Sequence, residues 1–95
     1  MQIALLADIH ANRQAFSACL RHAEKRGAER TVLLGDFVGY GADPVYAVDT
    51  AMELVSKGAI AVLGNHDCAV NDPTVRINPE AQTAIDWTRD PAREW

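Results

Sequence analysis

Three apolar segments of this sequence each end in polar residues that could bind a metal. Asp8 and His10 follow IALLA, Asp36 follows TVLLG, and the string GNHD, with Asn65 and His66, follows IAVL. Residues two apart in a strand project to the same side, so Asp8 and His10 can converge where their strand ends. Asp36 could reach the same ion and bridge to a second one, to which Asn65 offers a carbonyl oxygen. Mixed oxygen and nitrogen ligands favour manganese, iron or zinc over a metal that prefers thiolates.

The segments that must position these groups alternate between strands and helices. We expect the order strand, helix, strand, helix, strand, loop, helix, with strands at residues 2–7, 30–34 and 59–63 and helices at about 12–27, 43–58 and 78–88. This alternation predicts an α/β fold with right-handed crossovers and a parallel sheet. Because parallel strands end at the same edge of the sheet, the polar groups should form one site there.

The apolar pattern also predicts which faces are buried. The first strand is an uninterrupted apolar run, which is typical of a strand buried on both faces. Spacings of three and four residues indicate one buried stripe on each helix. The predicted stripes are Phe16, Cys19, Leu20 and Ala23, then Val45, Val48, Met52 and Val55, and finally Ala81, Ala84 and Ile85.

The composition limits the class of protein. The 95 residues suffice for one domain, and the formal net charge of -4, without a Lys/Arg run, argues against general nucleic-acid binding. We expect no membrane span and no signal peptide, because the N-terminal apolar stretch is short and lacks a basic leader. Cys19 and Cys68 form no C-x-x-C pair, so free thiols and a cytoplasmic location are expected.

The motifs resemble those of a known family. DIHAN, GDFVGYGADP, GNHD and the later NPEAQTAIDWTR occur in this order through the whole chain. They are similar to the calcineurin-like metallophosphoesterases, in their bacterial and archaeal phosphodiesterase-like branch. The resemblance implies a hydrolase of phosphomonoesters or phosphodiesters, whose fold is a four-layer sandwich. The parallel β-α-β-α-β-α elements of this chain would be the amino-terminal half of that sandwich.

The resemblance also implies roles for individual residues. Asp8 and His10 would hold the first of two divalent metal ions, Asp36 would bridge the pair, and Asn65 would hold the second. The two ions would generate a hydroxide that attacks phosphorus. His66 would act near the leaving group as an acid or charge stabiliser. A catalytic role is also assigned to Asp67, which would orient His66 or the loop.

The chain departs from the family pattern in its second half. Members complete the metal site with later histidines, including a G-H-x-H string, whereas no histidine follows His66 here. Residues 1–95 would therefore be a single partial domain, with only Asp36 and Asn65 for the second ion, which should bind weakly. One apolar face of the sheet would lack its cover. Either the chain is the truncated part of a longer enzyme, or a second copy or a complementing segment covers this face.

Other interpretations remain open for each motif and for the chain. Asp8 and His10 alone could be a cap and a surface histidine, and Gly35-Asp36 or Gly64-Asn65 alone could be a turn; only their combination favours a metal site. Tyr40, in the glycine-rich loop, is a candidate for lining the substrate mouth. The alternative function is a non-catalytic protein-interaction module on this scaffold. A nucleotide-binding Rossmann domain is disfavoured, because no G-x-G-x-x-G follows the first strand.

Overall fold

A computed structural model describes residues 1–89, where four helices pack with a three-stranded parallel sheet. The elements are β1 (Ile3–Leu6), α1 (Arg13–Lys25), β2 (Arg30–Leu33), α2 (Pro44–Ser56), β3 (Ile60–Ala61), α3 (Asn65–Asn71) and α4 (Pro79–Thr88). The predicted parallel α/β fold is confirmed. The strands are shorter than expected, and α3 lies where the sequence predicted a loop.

The sheet has the order β1-β2-β3, so each strand pairs with the next along the chain. Successive right-handed crossovers in one direction place their helices on one face of the sheet. Leu33, on that face, is completely buried. The opposite face carries Leu5, Val32 and Ile60 in register, and Leu5 and Ile60 are 66% and 63% exposed. The predicted bare apolar face is therefore present, and the prediction that the first strand is buried on both faces is wrong.

The hydrophobic core lies between the helices and the polar end of the sheet. Its buried members come from the sheet, from α1 to α4 and from the loops after β1 and β2: Ile9, Phe16, Leu33, Phe37, Val38, Ala47, Ala51, Ala69 and Ile85. Loop residues thus form part of the core itself. Packing of the core fixes the segments that carry the polar motifs.

Two predicted helix faces need correction. On α2 the buried side is Pro44, Ala47 and Ala51, whereas Met52 is 65% exposed and Val55 45% exposed. This helix is apolar on two sides, and the side with small residues is the one that packs into the core. Cys19 of α1 was predicted to lie in the core but is exposed.

The helix starts were predicted more accurately than the helix faces. Asn12 Oδ1 accepts a hydrogen bond from the Ala15 N–H at 3.0 Å, and Asn78 Oδ1 accepts one from the Ala81 N–H at 2.8 Å. These side chains satisfy backbone donors that the first turn of a helix leaves free. Asp43 precedes α2 but makes no such side-chain bond. Both cysteines are free thiols, and no helix within residues 1–89 is long and apolar enough to cross a membrane.

Helix α3 is short and is held from outside. The guanidinium of Arg89 donates to the carbonyl oxygens of Ala69 and Val70 near the last turn. A cation at this end also interacts favourably with the helix dipole. Beyond the helix, the Thr74 hydroxyl, and secondarily the Thr74 backbone N–H, donates to Asp72 and lowers the pKa of that carboxyl.

We predict unequal effects for two adjacent leucines at the end of β2. Leu33→Ala should lower the free energy of unfolding by about 2–5 kcal/mol, because it empties a fully buried site. Leu34 is 46% exposed, so Leu34→Ala should cost less than about 1 kcal/mol. Urea denaturation followed by circular dichroism measures both. Equal losses would contradict the described packing of the sheet.

Candidate metal centre

Three of the predicted ligands meet at the carboxyl edge of the sheet. Each of Asp8, His10 and Asp36 offers one ligand atom, and these atoms lie within 4.8 Å of one another. His10 Nε2 lies 3.5 Å from Asp8 Oδ1. Asp8 is exposed, whereas His10 and Asp36 are half-buried. The sequence therefore predicted this juxtaposition correctly.

Backbone hydrogen bonds join the loop after β1 to the loop after β2. The His10 N–H donates to Asp36 O and the Ala11 N–H donates to Phe37 O, both at 2.7 Å. In the opposite direction, the Gly41 N–H donates to His10 O at 2.9 Å. The first two loops therefore form one hydrogen-bonded unit, so the relative positions of Asp8, His10 and Asp36 are set by main-chain contacts.

The ligand-bearing residues have strained backbones. Asp8, His10 and Asp36 have φ of 53°, 47° and 54°, and Ala11 and Tyr40 nearby have φ of 56° and 66°. This left-handed region costs a residue with a side chain roughly 1–2 kcal/mol, although Asp and His tolerate it better than most. Such strain collects at functional sites, where surrounding contacts hold it in place. Here it turns each loop sharply as it leaves its strand.

A backbone carbonyl orients the ring of His10. Its Nδ1 lies 3.0 Å from Val38 O, which can only accept, so Nδ1 carries the proton and donates. In this tautomer Nε2, the atom that faces Asp8, is the nitrogen that can offer its lone pair to an ion. Metal-binding histidines are commonly fixed in this way, through the nitrogen that does not bind the ion. The donor set of two carboxylates and one imidazole therefore fits a divalent cation.

Asp36 lies directly against the GNHD turn. Its Oδ1 accepts a hydrogen bond from the His66 N–H at 3.1 Å. A side chain at position 64 would collide with the same carboxylate, so only glycine allows this approach. Asn65 lies between these two contacts and begins α3. Its role as a ligand of a second ion stays a prediction.

His66 is a buried histidine with an unusual environment. It is 7% exposed, and its Nδ1 makes no hydrogen bond with any residue of 1–89. A side chain at position 39 would collide with its imidazole, so Gly39 makes room for the ring. The rings of His10 and Tyr40 lie 4.8 and 5.1 Å from its centroid. A buried polar atom without a partner lowers the stability of the fold by about 1–3 kcal/mol. A purely structural role therefore does not account for a histidine at position 66.

Asp67 contacts the loops, which is one of the two roles that the sequence suggested for it. Its Oδ1 accepts from the N–H groups of Phe37 and Val38 at 2.8 and 3.1 Å, and its Oδ2 accepts from the Gly64 N–H at 2.9 Å. Because both carboxylate oxygens already bind backbone, Asp67 positions the loops after β2 and β3. Within residues 1–89 it makes no hydrogen bond to the His66 ring, whose orientation was the other role that the sequence suggested.

A contact that the sequence did not suggest ties α4 to the site. Asn78 Nδ2 donates to the Tyr40 hydroxyl at 3.3 Å, and the Tyr40 ring packs against His10 with centroids 5.2 Å apart. In the sequence, Asn78 is fully accounted for as the residue that caps α4. Nothing in the sequence therefore indicated that it also contacts Tyr40. Tyr40 itself was a candidate for the substrate mouth, and the structure places it beside both histidines.

Known proteins are similar to this chain in sequence and, for one solved structure, in fold. A match to the calcineurin-like phosphoesterase family extends over residues 1–93. An uncharacterized protein of Methanocaldococcus jannaschii is 37% identical over 89 residues, which cover 92% of this chain and 35% of that protein. A crystal structure of a metallophosphoesterase from Sphaerobacter thermophilus has a TM-score of 0.71 and 37% identity, over 92% of this chain and 34% of that one. The chain thus spans about a third of the length of these relatives, and it belongs to the calcineurin-like phosphoesterase family.

Proposed function

We propose that this chain is the amino-terminal part of a metal-dependent phosphoesterase that hydrolyses phosphomonoesters or phosphodiesters. Its ligands for two divalent ions would be Asp8, His10, Asp36 and Asn65, and the donor types favour manganese, iron or zinc. The observation that carries the proposal is the convergence of three ligand atoms within 4.8 Å at the edge of the sheet. Family membership supports the phosphate-ester chemistry.

The bound ions would supply positive charge and an acidified water for in-line attack at phosphorus. The chain contributes the geometry of the centre. Asp36 has a central position, because its carboxylate belongs to the group with Asp8 and His10 and also accepts a hydrogen bond from the N–H of His66, the residue after Asn65. This contact supports a bridging role for Asp36.

His66 would stabilise or protonate the leaving oxygen. It packs against the ring of His10, and its burial excludes water from one side of the site. General acids of this kind contribute about 10²- to 10⁴-fold to the rate. Asp67 would act only through the loops that it holds, so we assign it a positioning role.

The remaining metal ligands and the cover of the sheet would come from outside residues 1–95. The bare face with Leu5, Val32 and Ile60 is apolar, and such a surface favours association. We propose that a complementing segment or a second copy covers it. Under this proposal residues 1–95 form one partial domain of a cytoplasmic enzyme.

A second candidate function is a non-catalytic interaction module. An apolar cavity of about 570 Å³ between α2, β3 and α3 favours it, because Met52, Val55, Leu63 and Val70 line it together. An enzyme and an interaction module differ in metal binding, which the next experiment measures.

We predict that removing the charge of Asp36 weakens metal binding. In Asp36→Asn, the manganese affinity measured by calorimetry should fall by at least about 100-fold, because even groups that only support a metal ligand are worth 10- to 100-fold. The matched control is Asp49→Asn, an exposed residue of α2 away from the group, which should keep the wild-type affinity. Failure of the wild-type chain to bind manganese or zinc, together with saturable binding of a protein, would favour the interaction module.

We predict that the loss of His66 depends on the leaving group. With manganese present, His66→Gln should reduce hydrolysis of phenyl phosphate by about 10²-fold or more. It should affect p-nitrophenyl phosphate less, because p-nitrophenolate leaves without a proton. Steady-state kinetics with both esters measure the difference, and Asp36→Asn should abolish both activities. Equal losses for the two esters would argue against proton donation by His66.

A further inference from the structure

A cavity of about 580 Å³ opens beside the metal-binding group. It includes Asp8 and His10, and it extends from them toward the amino-terminal ends of α1 and α2. The other lining residues with polar side chains are Asn12, Gln14, Tyr40 and Asp43. A phosphate ester whose phosphorus lay at the metal-binding group would have room here for its organic part.

Residues 1–89 place no lysine or arginine in the wall of the cavity. Arg13 is adjacent to the lining residues Asn12 and Gln14, but its guanidinium lies 4.5 Å from the ring centroid of Tyr46 and is occupied there. A second anionic group on a ligand would therefore find no cation among residues 1–89 in this cavity.

Asp43 is the distinctive group of the cavity. It is half-buried, it precedes α2 without capping it, and its carboxylate makes no ion pair or hydrogen bond within residues 1–89. A carboxylate can only accept hydrogen bonds at neutral pH, so its ligand must donate. Hydroxyl groups supply such donors without adding negative charge.

Tyr40 and Gln14 complete a neutral, hydrogen-bonding surface. The Tyr40 hydroxyl accepts from Asn78 Nδ2, which leaves its own proton available to a ligand. Tyr40 is 53% exposed as a residue although its ring packs on His10 and His66, so part of an aromatic wall remains open to a ligand. Gln14 is exposed at the start of α1 and offers both donors and an acceptor.

We propose that this cavity binds the uncharged, hydroxyl-rich part of a phosphate ester, such as a sugar or another polyol, and that Asp43 accepts hydrogen bonds from its hydroxyls. This inference rests on the proposed function, because the phosphate would be held at the metal centre. It adds the class of substrate: esters of neutral polyols are preferred to compounds whose second group is anionic.

Three stable phosphonates test the proposal by binding to the manganese-loaded chain. Methylphosphonate occupies the metal centre alone, the phosphonate analogue of ribose 5-phosphate adds a neutral polyol, and 3-phosphonopropionate adds an anion. Calorimetry should give the tightest binding for the ribose analogue and the weakest for 3-phosphonopropionate. Asp43→Asn should reduce the advantage of the ribose analogue over methylphosphonate by about tenfold, which is the loss of one charge-assisted hydrogen bond.

Asp43→Asn keeps a residue type that suits the start of a helix, and its thermal unfolding should match that of the wild type. Asp49→Asn removes the same charge from the exposed surface of α2 and should leave the order of the three ligands unchanged. The proposal is overturned if methylphosphonate binds but the ribose analogue binds no more tightly, or if its advantage survives Asp43→Asn. If none of the three binds to metal-loaded protein, the proposed phosphoesterase function fails and this inference fails with it.

Discussion

The carboxylate of Asp67 is the contact on which the geometry of the site depends. It accepts hydrogen bonds from three backbone N–H groups, two after β2 and one after β3. These donors lie in tightly packed turns, where an unpaired N–H would be costly. Through them, one side chain fixes the distance between the loop that carries Asp36 and the turn that carries His66. The position of His66 relative to the candidate metal-binding group is therefore set by a residue that need not touch an ion.

Left-handed backbone at the three candidate ligands is the second constraint, and it opposes stability. Asp8, His10 and Asp36 all lie in this region, and an unstrained loop would be more stable. The cost is offset by the hydrogen bonds between the first two loops and by the buried residues Phe37 and Val38. Glycine is placed where two backbones nearly touch, at positions 35 and 64. The protein is thus less stable than it could be, because its loops are strained into holding polar groups close together.

The sequence predicts the site better than it predicts the packing around it. The positions of Asp8, His10 and Asp36 follow from strand ends and parallel topology, and the starts of α1 and α4 follow from Asn12 and Asn78. Those features depend on local chemistry and on one rule of sheet geometry. The buried side of α2 cannot be predicted in this way. That helix is apolar on two sides, and only tertiary contacts determine which side is buried.

Helix α3 shows why some elements cannot be predicted from the sequence. Its seven residues, NHDCAVN, include few strong helix formers, and a helix this short is unstable by itself. It forms because Asp67 binds the backbone at its start and Arg89 binds carbonyls near its end. The spacing of apolar residues in this segment predicts neither of these contacts.

The hydrogen bonds of Arg89 connect α3 to the end of α4, so these two helices should open as one cooperative unit. When α4 opens locally, the carbonyls of Ala69 and Val70 lose their partner, and the turn with His66 at the other end of α3 loosens with them. The same opening breaks the hydrogen bond from Asn78, at the start of α4, to the Tyr40 hydroxyl. Amide protons around GNHD should therefore exchange with solvent in step with those of a helix that supplies no ligand.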